Sequence, residues 1–110
     1  NAKRSLVARA ARSIEPIVIQ DVTLEPGFLP NKYLPNTLSE LAIPIAYGDE
    51  LIGVLDIQDA QANRFDAIEV QVKQTLANQL AVAIRNAEAF ERERQTVARL
   101  LEVDRLKQEF

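Results

Sequence analysis

The chain contains no cysteine and no histidine in 110 residues. Those absences remove disulfides, thiol nucleophiles, zinc-finger ligand sets and imidazole general bases from its chemistry. Lack of cysteine also fits a reducing compartment. Tryptophan is missing and aromatics are few, with four Phe and two Tyr, so Leu, Ile, Val and Ala must build the core. A formal net charge of −3 argues against the concentrated positive surface that nucleic-acid binding needs. No run approaches the ~20 apolar residues of a membrane span, and no charged-then-apolar signal segment opens the chain. The expectation is one domain, located in the cytoplasm, with no nucleic-acid or membrane contact and no cofactor or metal.

Patterning then supplies the elements. Residues 2 to 13 place Leu6, Val7, Ala10, Ala11 and Ile14 on one side of an amphipathic helix. Lys3, Arg4, Arg9 and Arg12 form its solvated face. Pro16 bars helix at Glu15, and the β-branched run that follows predicts a buried strand at about 17 to 20. Residues 21 to 38 carry three prolines, a glycine and two asparagines, an irregular segment with room for one helical turn. Two strands, at about 39 to 47 and 51 to 58, flank the hairpin turn Gly48-Asp49. Leu41, Ile43, Ile45 and Tyr47 alternate with Ala42, Pro44 and Ala46, giving the strand one bulky and one small face. The second strand is apolar on both faces up to Asp56, which predicts a sheet covered on both sides. Pro44 cannot donate in a ladder, so an edge or bulge is expected beside it.

Asp66, with Glu69 three residues on, reads as a helix N-cap. From Ala67 to Phe110 there is neither Pro nor Gly, and a helix of that length would run roughly 66 Å. A domain of this size has a radius of gyration near ~13 Å, so about half of such a helix must project beyond the core. Ile68, Val72, Leu76, Leu80, Ala83, Ile84 and Ala87 make a stripe expected to pack on the sheet. Further along, the apolar residues thin to Phe90, Val97, Leu100, Leu101, Val103, Leu106 and Phe110. Charges expected to pair at helical spacing lie between them: Glu88 with Arg92, Glu91 with Arg94, and Glu102 with Arg105. A narrow seam in a charged helix predicts a coiled coil, and hence a homodimer. The seam changes heptad phase near Leu100 and Leu101, as a stutter does.

The stretch "SELAIPIAYGDELIGVLDIQDAQANRFDAIEVQVKQTLANQLAVAIRNAEAFERER" resembles the C-terminal portion of a GAF domain, a sensory α+β module related to PAS domains. The match rests on Ser39-Glu40, Pro44, Gly48-Asp49, Gly53-Val54-Leu55-Asp56, Phe65 and the segment from Ala81 to Ala87. "SLVARAARSIEPIVIQDV" fits the family's preceding helix and strand, with Ser13-Ile14-Glu15 where Thr-Gly-Glu is common. The resemblance implies an antiparallel sheet flanked by helices, truncated on its N-terminal side because the family's opening helix and two strands have no counterpart. Residues 1–87 would be the partial domain, and residues 88–110 a coiled-coil signalling helix. "VDRLKQEF" is similar to the helix that enters the dimerisation and phosphoacceptor domain of sensor histidine kinases. A GAF domain of a bacterial sensor histidine kinase is therefore implied, with an output module beyond Phe110. A cyclase, a transcription activator or a ligand-free dimerisation module stand as alternatives.

"NRFDAIE" is only superficially similar to the Asn-Lys-Phe-Asp-Glu signature of cyclic-nucleotide-binding GAF domains. Those residues are dispersed there and contiguous here, so a turn and helix cap are expected instead. Bilin attachment and sulfoxide reduction in the family depend on Cys, and haem ligation usually on His, so the resemblance implies none of them here. Without a nucleophile, Asp21, Glu40 and Asp56 make no catalytic set, and the chain itself is expected to catalyse nothing. Asp21 is expected to turn the chain and Glu40 to meet a cation. The family's ligand pocket implies Asp21, Phe28, Tyr33, Ser39, Glu40 and Ile43 as candidate contacts for an unidentified small molecule, with residues 22 to 38 as its lid.

Overall fold

A computed structural model describes residues 5–30 and 32–109. The expectations for Lys3, Arg4 and Phe110 lie outside the described residues. Helix α1 spans Leu6–Ser13. Its N-cap Ser5 accepts from the Ala8 N–H at 3.4 Å. It stops at Ile14, two residues ahead of Pro16, because Ile14 is left-handed (φ 54°) and returns its N–H to the Ala10 carbonyl. A β-branched residue at positive φ is strained, and this is the position where the GAF resemblance has glycine.

Strands β1 (Ile17–Ile19), β2 (Ser39–Tyr47) and β3 (Glu50–Asp59) form an antiparallel sheet in that order. The hairpin closes through Gly48 at φ +61°. A register shift falls between Ile45 and Ala46, beside Pro44, and β1 pairs only with Glu40 to Ala42. The proline thus sits beyond the β1 ladder and next to a bulge, where its missing N–H costs least. Between β1 and β2 the chain makes one 3₁₀ turn, Val22–Leu24. Two hydrogen bonds anchor that connection: Val22 N–H to the Leu38 carbonyl at 2.7 Å and Leu38 N–H to the Asp59 carbonyl at 2.9 Å.

Helix α2 spans Ala67–Glu109, 43 residues, in a molecule whose longest dimension is 73 Å. Asp66 caps it by accepting from the Glu69 N–H at 2.8 Å. The bulky face of β2 lies beneath it, where Leu41 and Ile43 pack with Phe65 and Ala77. The small face admits α1, so that Ala10 and Ala42 are both fully buried beside Leu6 and Ile19. The order is α2, sheet, then α1 with the β1–β2 connection: an α+β fold covered on both sides.

The expected helix stripe needs correction. Ala77 and Ala81 meet the sheet, whereas Ile68, Val72 and Leu76 remain 72%, 55% and 43% exposed. Leu41, Ile43 and Phe65 already fill the space over the sheet, so the helix approaches through its smallest side chains. One ion pair also differs: Glu88 pairs with Arg85 at 2.6 Å rather than with Arg92. Arg85 reaches Glu50 as well, at 2.6 Å, tying α2 to the hairpin turn. The pairs Glu91–Arg94 and Glu102–Arg105 form as expected, at 2.9 and 2.7 Å.

Candidate functional site

Alternation along the hairpin decides what faces the β1–β2 connection. Register pairs Glu40 with Gln58 and Ala42 with Asp56, placing these side chains on the α1 face. Gln58 Nε2 donates to Asp56 Oδ2 at 2.9 Å and to Glu40 Oε2 at 3.3 Å. Thr37 Oγ1 donates to Gln58 Oε1 at 2.7 Å, so the carboxamide is held from both ends. Asp56 and Gln58 border two adjoining depressions. One, of about 190 Å³, is roofed by Leu6, Val7, Leu29 and Pro30 and has Glu40 at its floor. The other, of about 390 Å³, is bounded by residues 33 to 37.

Glu40 is 6% exposed. Burial first, then the hydrogen bond and charge of Asp56, push its carboxyl up to about 8. At neutral pH Glu40 therefore keeps its proton and can donate it to Asp56. Two carboxyl groups, one shared proton and an oriented amide can receive a cationic or hydrogen-donating group. They hold no nucleophile. Among the described residues, no group of three or more His, Cys, Asp and Glu could hold a metal ion. No helix among them is long and apolar enough to cross a membrane.

Of the residues expected at a ligand, Glu40 and Tyr33 line these depressions. Glu40 meets Gln58 and a second acid rather than the expected cation. The Tyr33 ring carries Lys32 Nζ 5.0 Å above its centroid. Asp21 instead caps the 3₁₀ turn, accepting from Thr23 N–H at 2.9 Å and Thr23 Oγ1 at 2.6 Å. Those bonds hold its carboxyl below the usual range. Phe28 packs against the cluster of Leu6, Ala10, Ile19 and Ala42. Ser39 Oγ donates to the Gln61 carbonyl at 2.7 Å, and Ile43 is buried under α2 on the opposite face. Asp56 and Gln58 were not among the expected contacts. Their spacing of two on one strand, opposite Glu40 in the hairpin, was the available signal.

The far half of α2 is solvent-exposed in this single chain, Phe90, Val97, Leu100, Leu101, Val103 and Leu106 included. Phe90, Val97, Ala98 and Leu101 line a shallow groove along it with Glu93 and Arg94.

A family model described as GAF domain matches residues 1–84. Among solved structures, the GAF domain of a phosphoenolpyruvate-protein phosphotransferase from Coxiella burnetii is 31% identical, with a TM-score of 0.70. That match covers 79% of this chain and 53% of the other. A free methionine-R-sulfoxide reductase from Neisseria meningitidis, in complex with its substrate, is 26% identical with a TM-score of 0.65, covering 84% and 51%. A type II enzyme of that name from Thermoplasma acidophilum is 24% identical with a TM-score of 0.68, covering 78% and 60%. The chain thus spans between half and three fifths of the length of these structures. No curated protein matches it.

Proposed function

Because the chain belongs to the GAF domain family, we propose that it is a regulatory sensor. It reads a small molecule beneath the β1–β2 connection and passes the event to α2. One observation carries this reading: consecutive residues of β2 serve the two sides of the sheet. Glu40 faces the cavity, while Leu41 packs in the cluster that contains Ala77 of α2. A ligand that moves the Glu40–Asp56 pair shifts the strand on which α2 rests. A ligand with a cationic or hydrogen-donating group suits that pair. Two chains joined in a coiled coil through Phe90, Val97, Leu100, Leu101, Val103 and Leu106 then present the change to an output module. The ending "VDRLKQEF" supports a histidine kinase as that output, in a bacterial two-component system of the cytoplasm. The same tail suits a cyclase or a transcription activator.

An α-helix turns about 100° per residue, so the seam sets the rotational phase in which the next module receives it. In the full-length protein, one residue inserted beside Arg94 should lock or abolish regulation, and seven should largely restore it. Autophosphorylation is measured with and without stimulus across insertions of one to seven residues. A response that declines smoothly with insert length would make the helix a passive tether. A second reading, a dimerisation module without ligand, draws on Gln58, which already satisfies both carboxyl groups from within the protein. Native mass spectrometry separates the two, since a bound small molecule is expected only of the sensor.

A further inference from the structure

Gln58 borders both depressions and commits its whole carboxamide to other side chains. Its Nε2 donates to Asp56 Oδ2 at 2.9 Å and to Glu40 Oε2 at 3.3 Å, so both of its hydrogens meet acids. Its Oε1 accepts from Thr37 Oγ1 at 2.7 Å, which fixes the end of the amide that faces them. A flipped carboxamide would set its oxygen against two carboxyl groups. A polar floor that satisfies itself from within the protein needs no cavity above it. Yet a depression of about 190 Å³ lies over this one, under Leu6, Val7, Leu29 and Pro30, and one of about 390 Å³ adjoins it. Gln58 is only partly buried, and the larger depression gives its side chain a place to turn.

We infer that the Gln58 carboxamide is an internal stand-in for a ligand, and that the ligand is an alkyl- or arylguanidinium, or the related amidinium, with a single positive charge. The inference rests on the sensor reading proposed above and names the chemical class that the Glu40–Asp56 floor selects. Direction is the first argument. A single planar nitrogen reaches both acids, so whatever replaces it must present in-plane donors to two acceptors at once. A guanidinium does so through N–H groups held in a rigid fork. Charge is the second. Glu40 keeps its proton at neutral pH, so the pair carries one negative charge across hydrogen-bonded oxygens. A neutral amide leaves that charge uncompensated, whereas a monocation cancels it. A dication would bring a second charge under an apolar roof with no partner there.

The surroundings separate a guanidinium from an ammonium. A compact ammonium is strongly hydrated, and moving it beneath Leu6, Val7, Leu29 and Pro30 forfeits that hydration. A guanidinium is more weakly hydrated and presents flat faces to apolar neighbours. Its remaining donors stay in its plane and can extend into the larger depression, where Asn36 and Asp59 offer oxygens. The roofed depression then takes the substituent. At ~30 Å³ for each water-sized group, 190 Å³ holds about six of them, the room of a short alkyl chain or one ring.

Butylguanidinium is the probe, with butylammonium and pentanamide as comparators, each titrated into the full-length protein by calorimetry near pH 7. Butylguanidinium should bind at least tenfold more tightly than either. Asp56→Asn, at an exposed position, should weaken it at least tenfold by removing the charge. Gln58→Ala should tighten it at least fivefold, because the competing carboxamide is gone. A side chain that only supported the site would loosen binding on removal. Thr37→Val tests the same exchange by a second route: it releases the amide without deleting it and should also tighten binding. Circular dichroism establishes that each variant is folded. Butylammonium or pentanamide binding as tightly as butylguanidinium would overturn the assigned class and leave the sensor reading standing. Equal or weaker binding in both Gln58→Ala and Thr37→Val would make Gln58 part of the binding floor, and would overturn the inference too. If no probe binds while native mass spectrometry finds another small molecule, this inference alone falls. If no small molecule is found at all, both readings fall.

Discussion

Replacing Glu40 with Gln removes one titration and leaves the shape of the site almost unchanged. In the folded protein the Glu40 carboxyl titrates near 8, against an ordinary value of 4.5. Between those values the folded state holds a proton that the unfolded state has lost. Stability from this group is therefore fully present below about pH 4.5 and disappears as pH rises towards 8. From pH 5.5 to 7 the slope approaches about 1.4 kcal/mol per pH unit. For a domain of this size that corresponds to roughly 5–10 °C in Tm per unit. Glutamine mimics the protonated acid: its amide can donate to Asp56 while its oxygen still accepts from Gln58. The variant should match the wild type near pH 5 and exceed it by about 3 kcal/mol near pH 7.5. Urea unfolding of both proteins across pH 5 to 8 measures the difference, in which the groups remote from the Glu40–Asp56 pair cancel. Parallel stability curves over that range would refute the buried, shared proton.

Two further outcomes follow from the packing and the turn. Ala77→Leu should lower stability by about 1–3 kcal/mol in thermal melts, because α2 meets Leu41 and Ile43 there with no space for extra methyl groups. Gly48→Val should cost about 1–2 kcal/mol in the same assay. No atom lies within 4 Å of a Cβ at Gly48, so that cost comes from its backbone φ of +61° alone, and Gly48→Asn should recover most of it.

Local chemistry made much of the architecture legible. Gly48-Asp49 announced the hairpin, Asp66 with Glu69 announced the start of α2, and the lack of Pro and Gly after Ala67 announced its length. Each of those signals acts within a few residues. The alternation in β2 likewise separated the bulky face of Leu41 and Ile43 from the small face of Ala42. The candidate site was less legible. Glu40 and Tyr33 line the cavity, but Phe28 and Ile43 are core, and Asp21 and Ser39 bond to nearby backbone. Polarity and loop position do not distinguish a side chain aimed at a cavity from one that caps a turn.

What the amino-acid order determined by itself was the set of elements and the side of each that is apolar, because helix and strand periods are local properties. Which apolar side of α2 meets the sheet was a tertiary decision. Two candidate faces existed, one with Ile68, Val72 and Leu76, the other with Val70, Ala77 and Ala81. The space left above Leu41, Ile43 and Phe65 admits only the smaller one. Likewise, the elevated proton affinity of Glu40 is invisible in its sequence neighbours. It arises because strand pairing brings Asp56 and Gln58, sixteen and eighteen residues away, to the same buried floor.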